Sequence, residues 1–289
     1  MFAILGATGK VGGAAARELR ARGKAVRAVV RDASKAEDLR HLGCEIAIAD
    51  YQNVSALSEA FSGATAVLAL CPMNPRAANA MDDHAQMIDA IVVAIEKTKP
   101  GIVVAISDYG AHEELQGSIT SIFRVLEQKL SMVSSSKIIL RSAEHMQNWG
   151  RSLSGAAKSG MLPLFYTPAN RRFPLVSAPD VGRVAADLLI AAEHGCPNRI
   201  VHVEGPIRYS TTDLLQAMEQ VAGRPVSPVV VPEQNWLGVL TSAGLTESYA
   251  SLVAGMYAAN NAGRIEIEPN SVEVRRGTST LTTTFGALL

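Results

Sequence analysis

Short apolar runs recur along the first half of the chain, at residues 2–5, 24–30, 45–49, 66–70, 102–106 and 137–140. Each is too short for a helix and rich in Val, Ile or Ala, so each reads as a buried strand. Between them lie stretches of helical character. Residues 13–22 are rich in alanine, leucine and arginine; 34–42 follow the second run; 54–61 place Leu57 and Phe61 four apart. The long stretch 76–97 puts Met81, Ala85, Ile88, Val92 and Ile95 on one stripe, and Pro100-Gly101 ends it; 118–133 reads as a further helix. Strand–helix alternation of this kind predicts an α/β fold, a doubly wound parallel sheet of Rossmann type.

The pattern loosens after Trp149, where Gly150, Gly155, Gly160, Pro163 and Pro168 predict short pieces. It returns at 176–203. Ser177 and Asp180 have capping-box spacing, a helix follows on Val181, Val184, Leu188 and Leu189, and 199–203 reads as an edge strand. Beyond it come a capped helix at 210–222, a short strand at 229–231, helices at 235–244 and 247–260, and a terminal helix at 280–289. The expected organisation is a nucleotide-binding domain over 1–145, to which 176–203 returns. A smaller, mostly helical C-terminal substrate lobe takes 146–175 and 204–289.

The first strand runs straight into Gly6-Ala-Thr-Gly9-Lys-Val-Gly12 and a helix. Strand, glycine turn and helix in that order form a dinucleotide-binding entry. Gly6 would allow the tight turn and Gly9 a close approach of backbone to pyrophosphate. Gly12 would allow close helix–strand packing, with Thr8, Lys10 and Val11 completing the loop. The second strand ends in Arg31-Asp32, where such folds meet the adenosine ribose. Arg31 suits the 2′-phosphate of NADP(H), with Asp32 capping the next helix; Asp32 on the ribose of NAD is the alternative. Asp50, closing the third strand, either faces the adenine edge or is a loop residue. Cys71, Pro72 and Ser107 follow the fourth and fifth strands and border the cofactor in this reading.

Composition narrows the classes. The 289 residues are 48% hydrophobic and 19% charged, with zero net charge, as in ordinary globular proteins. Nucleic acid is not an expected partner, because no basic surface is implied. Cys44, Cys71 and Cys196 are widely spaced and odd in number, and neither they nor the six histidines have metal-ligand spacing. No apolar run is long enough to cross a membrane, and the first strand begins almost at Met1, so a cytoplasmic location is expected.

Several stretches together resemble the NmrA-like group of atypical short-chain dehydrogenase/reductases. They are Gly6 to Gly12, Val30-Arg-Asp32, Ile139-Leu-Arg-Ser-Ala-Glu-His-Met-Gln-Asn148, Val176-Ser-Ala-Pro-Asp-Val-Gly-Arg183 and Glu204-Gly-Pro-Ile-Arg-Tyr-Ser-Thr-Thr-Asp213. The ending, Leu245-Thr-Glu-Ser-Tyr to Asn261-Ala-Gly, is similar to the quinone and triphenylmethane-dye reductase branch. The resemblance covers essentially the whole chain. It implies an NADP(H)-binding Rossmann domain with a C-terminal part closing over the nicotinamide. One departure matters: with Glu127 taken as the helix glutamate of extended members, Phe123 and Ile119 stand where the lysine and tyrosine of the YxxxK pair belong.

Two functions fit. One is an NADPH-dependent oxidoreductase passing hydride to a small aromatic, quinone-like or dye-like acceptor without the Tyr/Lys pair. Such an acceptor spreads the incoming charge and can take its proton from water. The other is a non-enzymatic NADP(H)-binding redox sensor of the NmrA type, which needs a regulatory protein partner; a homodimer suits either. No GxSxG elbow offers an acyl nucleophile. Candidate proton donors are Tyr109 and His145, and Cys71 could be a reactive thiol, although nothing basic adjoins it. His145, Asn148, Trp149, Phe165 and Tyr166 are the candidate substrate contacts, with Phe173 as further apolar wall.

Overall fold

The apolar runs pair in parallel because both of their faces can be covered by helices. The computed structural model describes residues 1–271 and 273–289. The first half alternates β1 Phe2–Leu5, α1 Lys10–Ala21, β2 Val26–Val30, α2 Glu37–His41, β3 Glu45–Ile48, α3 Val54–Phe61, β4 Ala66–Ala69, α4 Ala80–Thr98, β5 Ile102–Asp108, α5 Thr120–Ser131 and β6 Ser136–Ser142. Then come β7 Glu144–His145, α6 Gly150–Ser159, β8 Met161–Leu164, β9 Leu175–Val176, α7 Ala178–Ala191, β10 Arg199–Glu204 and α8 Thr211–Ala222. The chain closes with β11 Ser227–Val230, α9 Trp236–Ser242, α10 Glu247–Asn261, β12 Val274–Arg276 and α11 Leu281–Gly286.

Eight strands form one parallel sheet in the order β3-β2-β1-β4-β5-β6-β10-β12. The doubly wound architecture is the one the alternation predicts. Chain direction switches between β1 and β4, and the crevice at their carboxyl ends is where open α/β sheets take ligands. One face is covered by α1, α2 and α7 through Ala15, Leu19, Leu39, Val181 and Ala185; the other by α3, α4 and α5 through Leu57, Phe61, Ile88, Ile91 and Leu126. Helix α7 packs close on α1 because Gly182 has no side chain. A Cβ there would lie 2.3 Å from the Val11 carbonyl oxygen.

Several expectations are corrected. Strand β10 is not an edge: the short β12 pairs with it and forms the edge, so residues 274–276 join the main sheet. Gly150 and Gly155 do not break the chain, since Leu153 and Ala156 bury against Trp149 and Leu162 and packing outweighs propensity. Beyond Trp149 β8 pairs in parallel with β11, and β9 pairs in parallel with β7, which precedes Trp149. The buried face of α4 runs along Ala80, His84, Met87 and Ile91, leaving Met81 exposed. Ser177 and Asp180 make no capping box. Instead the Gln147 side chain accepts the Ala178 N–H and donates to the Ser177 hydroxyl, while Asp180 accepts from Ser279.

Candidate functional site

Gly6 adopts φ +63°, a left-handed turn open to glycine, and its N–H side is anchored rather than free. The Gly9 N–H closes the turn on the Gly6 carbonyl at 2.8 Å. A Cβ on Gly12 would stand 2.4 Å from the Gly6 carbonyl oxygen, which is the close helix–strand contact expected of it. Thr8, Gly9 and Lys10 are exposed at the crevice. Helix α1 starts here with no side-chain cap and no acidic residue in its first turn. Its N–H groups and dipole thus form an anion cradle that fits a dinucleotide pyrophosphate.

Arg31 is exposed and engages no ion pair among the described residues; its guanidinium lies 5.8 Å from the centroid of the Tyr51 ring. Asp32 is turned away, accepting the Ser34 N–H at 2.9 Å and its hydroxyl at 2.7 Å, which hold its carboxyl below the usual range. Asp32 caps the short 3-10 turn Ala33–Lys35 rather than α2, whose N-cap is Ala36, and Arg31 is left as an exposed cation just past the end of β2. Asp50 is exposed and accepts the Gln52 N–H. Sequence reasoning missed Tyr51: its buried hydroxyl accepts from the Gly6 N–H and donates to the Val29 carbonyl.

Three candidates are less available than their strand-end positions imply. Cys71 is 4% exposed and burial pushes its thiol up to about 12, so it is no reactive thiolate; Pro72 beside it is half-exposed. The buried Ser107 hydroxyl donates to Glu127, which also pairs with Arg141 through two bonds, so that side chain is committed inside the fold. Tyr109 is fully buried against His202, its hydroxyl closed off from the crevice and burial raising its phenol far above the usual range. Ile119 and Phe123 pack in the apolar layer around α5.

At the carboxyl ends of β5 and β6 a polar cluster gathers that the sequence reading also missed. Asp108 accepts from the Thr120 hydroxyl at 2.9 Å, and burial pushes its carboxyl up to about 7. Burial likewise pushes Glu144 up to about 7, with the nearby Asp108 adding to the rise. The Tyr166 hydroxyl donates to Glu144 at 2.5 Å. His145 adjoins them, its Nε2 3.1 Å from the Ser142 hydroxyl. Burial first, then the Lys10 ammonium, lowers its imidazole to about 4 and keeps it neutral at neutral pH. Lys10 is the first residue of α1. Asn148 is exposed, whereas Trp149, Phe165, Tyr166 and Phe173 are buried in a run of ring contacts: Tyr166 stacks on Phe173 and Phe165 on Tyr257. A carboxyl two residues past the end of a sheet strand was the available signal for Glu144.

Residues 6–147 match the NAD(P)H-binding family. The chain is 26% identical over 259 residues to NAD(P)H azoreductase of Xenophilus azovorans, covering 89% of this chain and 86% of that one. It is 24% identical over 262 residues to quinone oxidoreductase 2 of Escherichia coli, covering 88% and 86%. The solved NADPH complex of the Escherichia coli NADPH-dependent quinone oxidoreductase superposes with a TM-score of 0.79 at 21% identity, over 100% of this chain and 99% of that one. The Citrobacter sp. triphenylmethane reductase complexed with NADP(H) gives 0.77, with the same identity and coverage. The uncapped glycine cradle at the switch point lies within the stretch that matches the NAD(P)H-binding family, and these likenesses agree with it.

Proposed function

We propose that the protein is an NADPH-dependent oxidoreductase that delivers hydride to a flat, conjugated acceptor of quinone, azo or dye type. The reading rests on one feature: the glycine turn leads into an uncapped helix start whose first turn carries no acid and whose Thr8, Gly9 and Lys10 are exposed, as a dinucleotide pyrophosphate requires. The names of the relatives, an azoreductase and a quinone oxidoreductase, support the acceptor class. When bound, the nicotinamide supplies the hydride. The chain's own residues hold and orient: the first-turn N–H groups of α1 take the pyrophosphate, and Arg31 takes the 2′-phosphate. The aromatic cluster of Trp149, Tyr166 and Phe173 is the wall against which a flat acceptor would be aligned, and such an acceptor needs mainly closeness and orientation. Ile119 and Phe123 stand where a Tyr/Lys pair would, so simple aldehydes and ketones are poor substrates.

Oxidation of NADPH with a panel of quinones, azo compounds, cationic dyes and aliphatic ketones tests this. Turnover should appear with the conjugated acceptors alone, and Gly9→Val should abolish cofactor binding in a folded protein. Tight NADPH binding with no turnover on any conjugated acceptor would instead favour the redox-sensor reading.

A further inference from the structure

We propose that Glu144, held by the Tyr166 hydroxyl at the carboxyl end of β6, is the proton donor that completes reduction of a quinone-like or azo acceptor. The inference rests on the reductase reading above and adds a residue to it. Glu144 sits two residues beyond Ser142, the residue in register with Asp108 at the end of β5. It therefore lies at the carboxyl edge of the sheet, just past β6 and beside the end of β5, on the side of the sheet where open α/β sheets take ligands. It is partly open to solvent, unlike Tyr109 and Cys71. Its surroundings favour the neutral acid. Burial does this first and Asp108 of β5 adds to it, while the hydrogen bonds from the Tyr166 hydroxyl and the Asn148 side chain work against it. The neighbouring His145 stays neutral near neutral pH through burial, with Lys10 of α1 the cation that acts on it.

A second observation points to a ligand here. The Trp149 indole N–H has no acceptor among the described residues, and its ring lies 5.7 Å from that of Tyr166. Trp149 is 6% exposed, and a buried indole N–H ordinarily finds a partner. That N–H is itself buried, so an acceptor oxygen or nitrogen reaches it once the neighbouring side chains move.

The chemistry balances. Two electrons reach a quinone as one hydride, leaving a hydroquinone monoanion. The Glu144 O–H bond breaks, and its proton forms the second O–H bond of the hydroquinone. The electron pair stays on the Glu144 carboxylate, to which the Tyr166 hydroxyl already donates. Water then returns a proton. An azo bond follows the same count, with nitrogen in place of oxygen. A cationic triphenylmethane dye differs, because hydride alone neutralises it and no proton is needed.

That difference gives the test. Glu144→Gln keeps an acceptor for Tyr166 and removes the transferable proton. The turnover ratio of quinone to cationic dye should fall by about 10²–10⁴-fold in this variant, the usual worth of a general acid. In the unmutated protein, quinone turnover should fall as pH rises through about 7, where the Glu144 carboxyl ionises. Dye turnover should not share that step. Independently of activity, carbon-13 spectra of glutamate-labelled protein without cofactor should show a side-chain carboxyl titrating near 7 that Glu144→Gln removes. An unchanged quinone-to-dye ratio in the variant, whether both rates fall together or neither does, overturns the proposal. Absence of all turnover in the unmutated protein would overturn the reductase reading and this one with it, an outcome visible before any variant is made.

Discussion

The Tyr51 hydroxyl accepts the Gly6 N–H at 2.8 Å and donates to the Val29 carbonyl at 3.1 Å. One side chain from the end of β3 thus ties the phosphate turn after β1 to the last residues of β2. Its ring also lies beside Arg31. Tyr51→Phe keeps the ring and removes the tie, leaving the Gly6 N–H without its buried acceptor at a cost of about 1–3 kcal/mol. Melting temperature should drop, and calorimetry should find NADPH and NADH weakened by the same factor. Loss of NADPH binding alone would mean that Tyr51 acts through Arg31 and not through the turn.

Arg31→Ala tests the cation itself. A charge-assisted bond to phosphate is worth about 1.5–3 kcal/mol, so NADPH affinity should fall tenfold or more while NADH affinity hardly changes. Stability should hardly move, because Arg31 is exposed and engages no ion pair among the described residues, only the face of the Tyr51 ring. Equal loss for both cofactors would assign Arg31 a structural role.

The legible parts of this molecule were those fixed by local pattern. Residues 2–5 and 54–61 could be bounded correctly because a strand run and a capped helix carry their own limits. The turn at Gly6 and the close approach at Gly12 followed from what a Cβ would strike. What stayed hidden depends on distant partners. Strand β12 is three residues long and exists because β10 offers it an open edge. Tyr51 carries no local signal, because its role depends on its hydroxyl meeting Gly6. Ser107 stood at a strand end, yet Glu127, twenty positions later, takes its hydroxyl. Asp108 and Glu144 are unremarkable singly; their raised proton affinity comes from shared burial.

That burial has a consequence for stability. Asp108 and Glu144 keep their protons up to about 7 in the folded chain, whereas unfolded carboxyls release theirs near the ordinary value of about 4. Between those limits the folded state holds protons that the unfolded state has lost, so these two groups lower stability as pH rises toward 7. His145 and His202 work in the opposite sense. Both are pushed down to about 4 mainly by burial, so they cost stability as pH falls from about 6.5. The two effects overlap and flatten the profile of the unmutated protein, which makes the difference between variants the cleaner measure. Asp108→Asn keeps an acceptor for Thr120 and removes the ionisation. Its melting temperature relative to the unmutated protein should be higher at about pH 8 than at about pH 5. A difference independent of pH would mean that Asp108 ionises normally in the folded chain.

Tyr109 offers the complementary case, a catalytic-looking residue placed inside the core. Its ring meets His202 edge-on at 5.3 Å between centroids, it is fully buried, and its hydroxyl has no hydrogen-bond partner among the described residues. A buried hydroxyl without a partner carries a desolvation penalty of about 1–3 kcal/mol, which removal of the oxygen relieves. Tyr109→Phe preserves the ring and should therefore leave stability unchanged or raise it by about 1 kcal/mol. Turnover of quinones should stay within about tenfold, well short of the 10²–10⁴ that a general acid contributes. His145→Ala should obey the same limit, since an imidazole held neutral near neutral pH has no surplus proton to give. Chemical denaturation and steady-state kinetics on the two variants measure both quantities. A hundredfold loss in Tyr109→Phe with an unchanged melt would show that its hydroxyl reaches the reacting atoms after a movement of the strand ends, and would move the proton source from Glu144 to Tyr109.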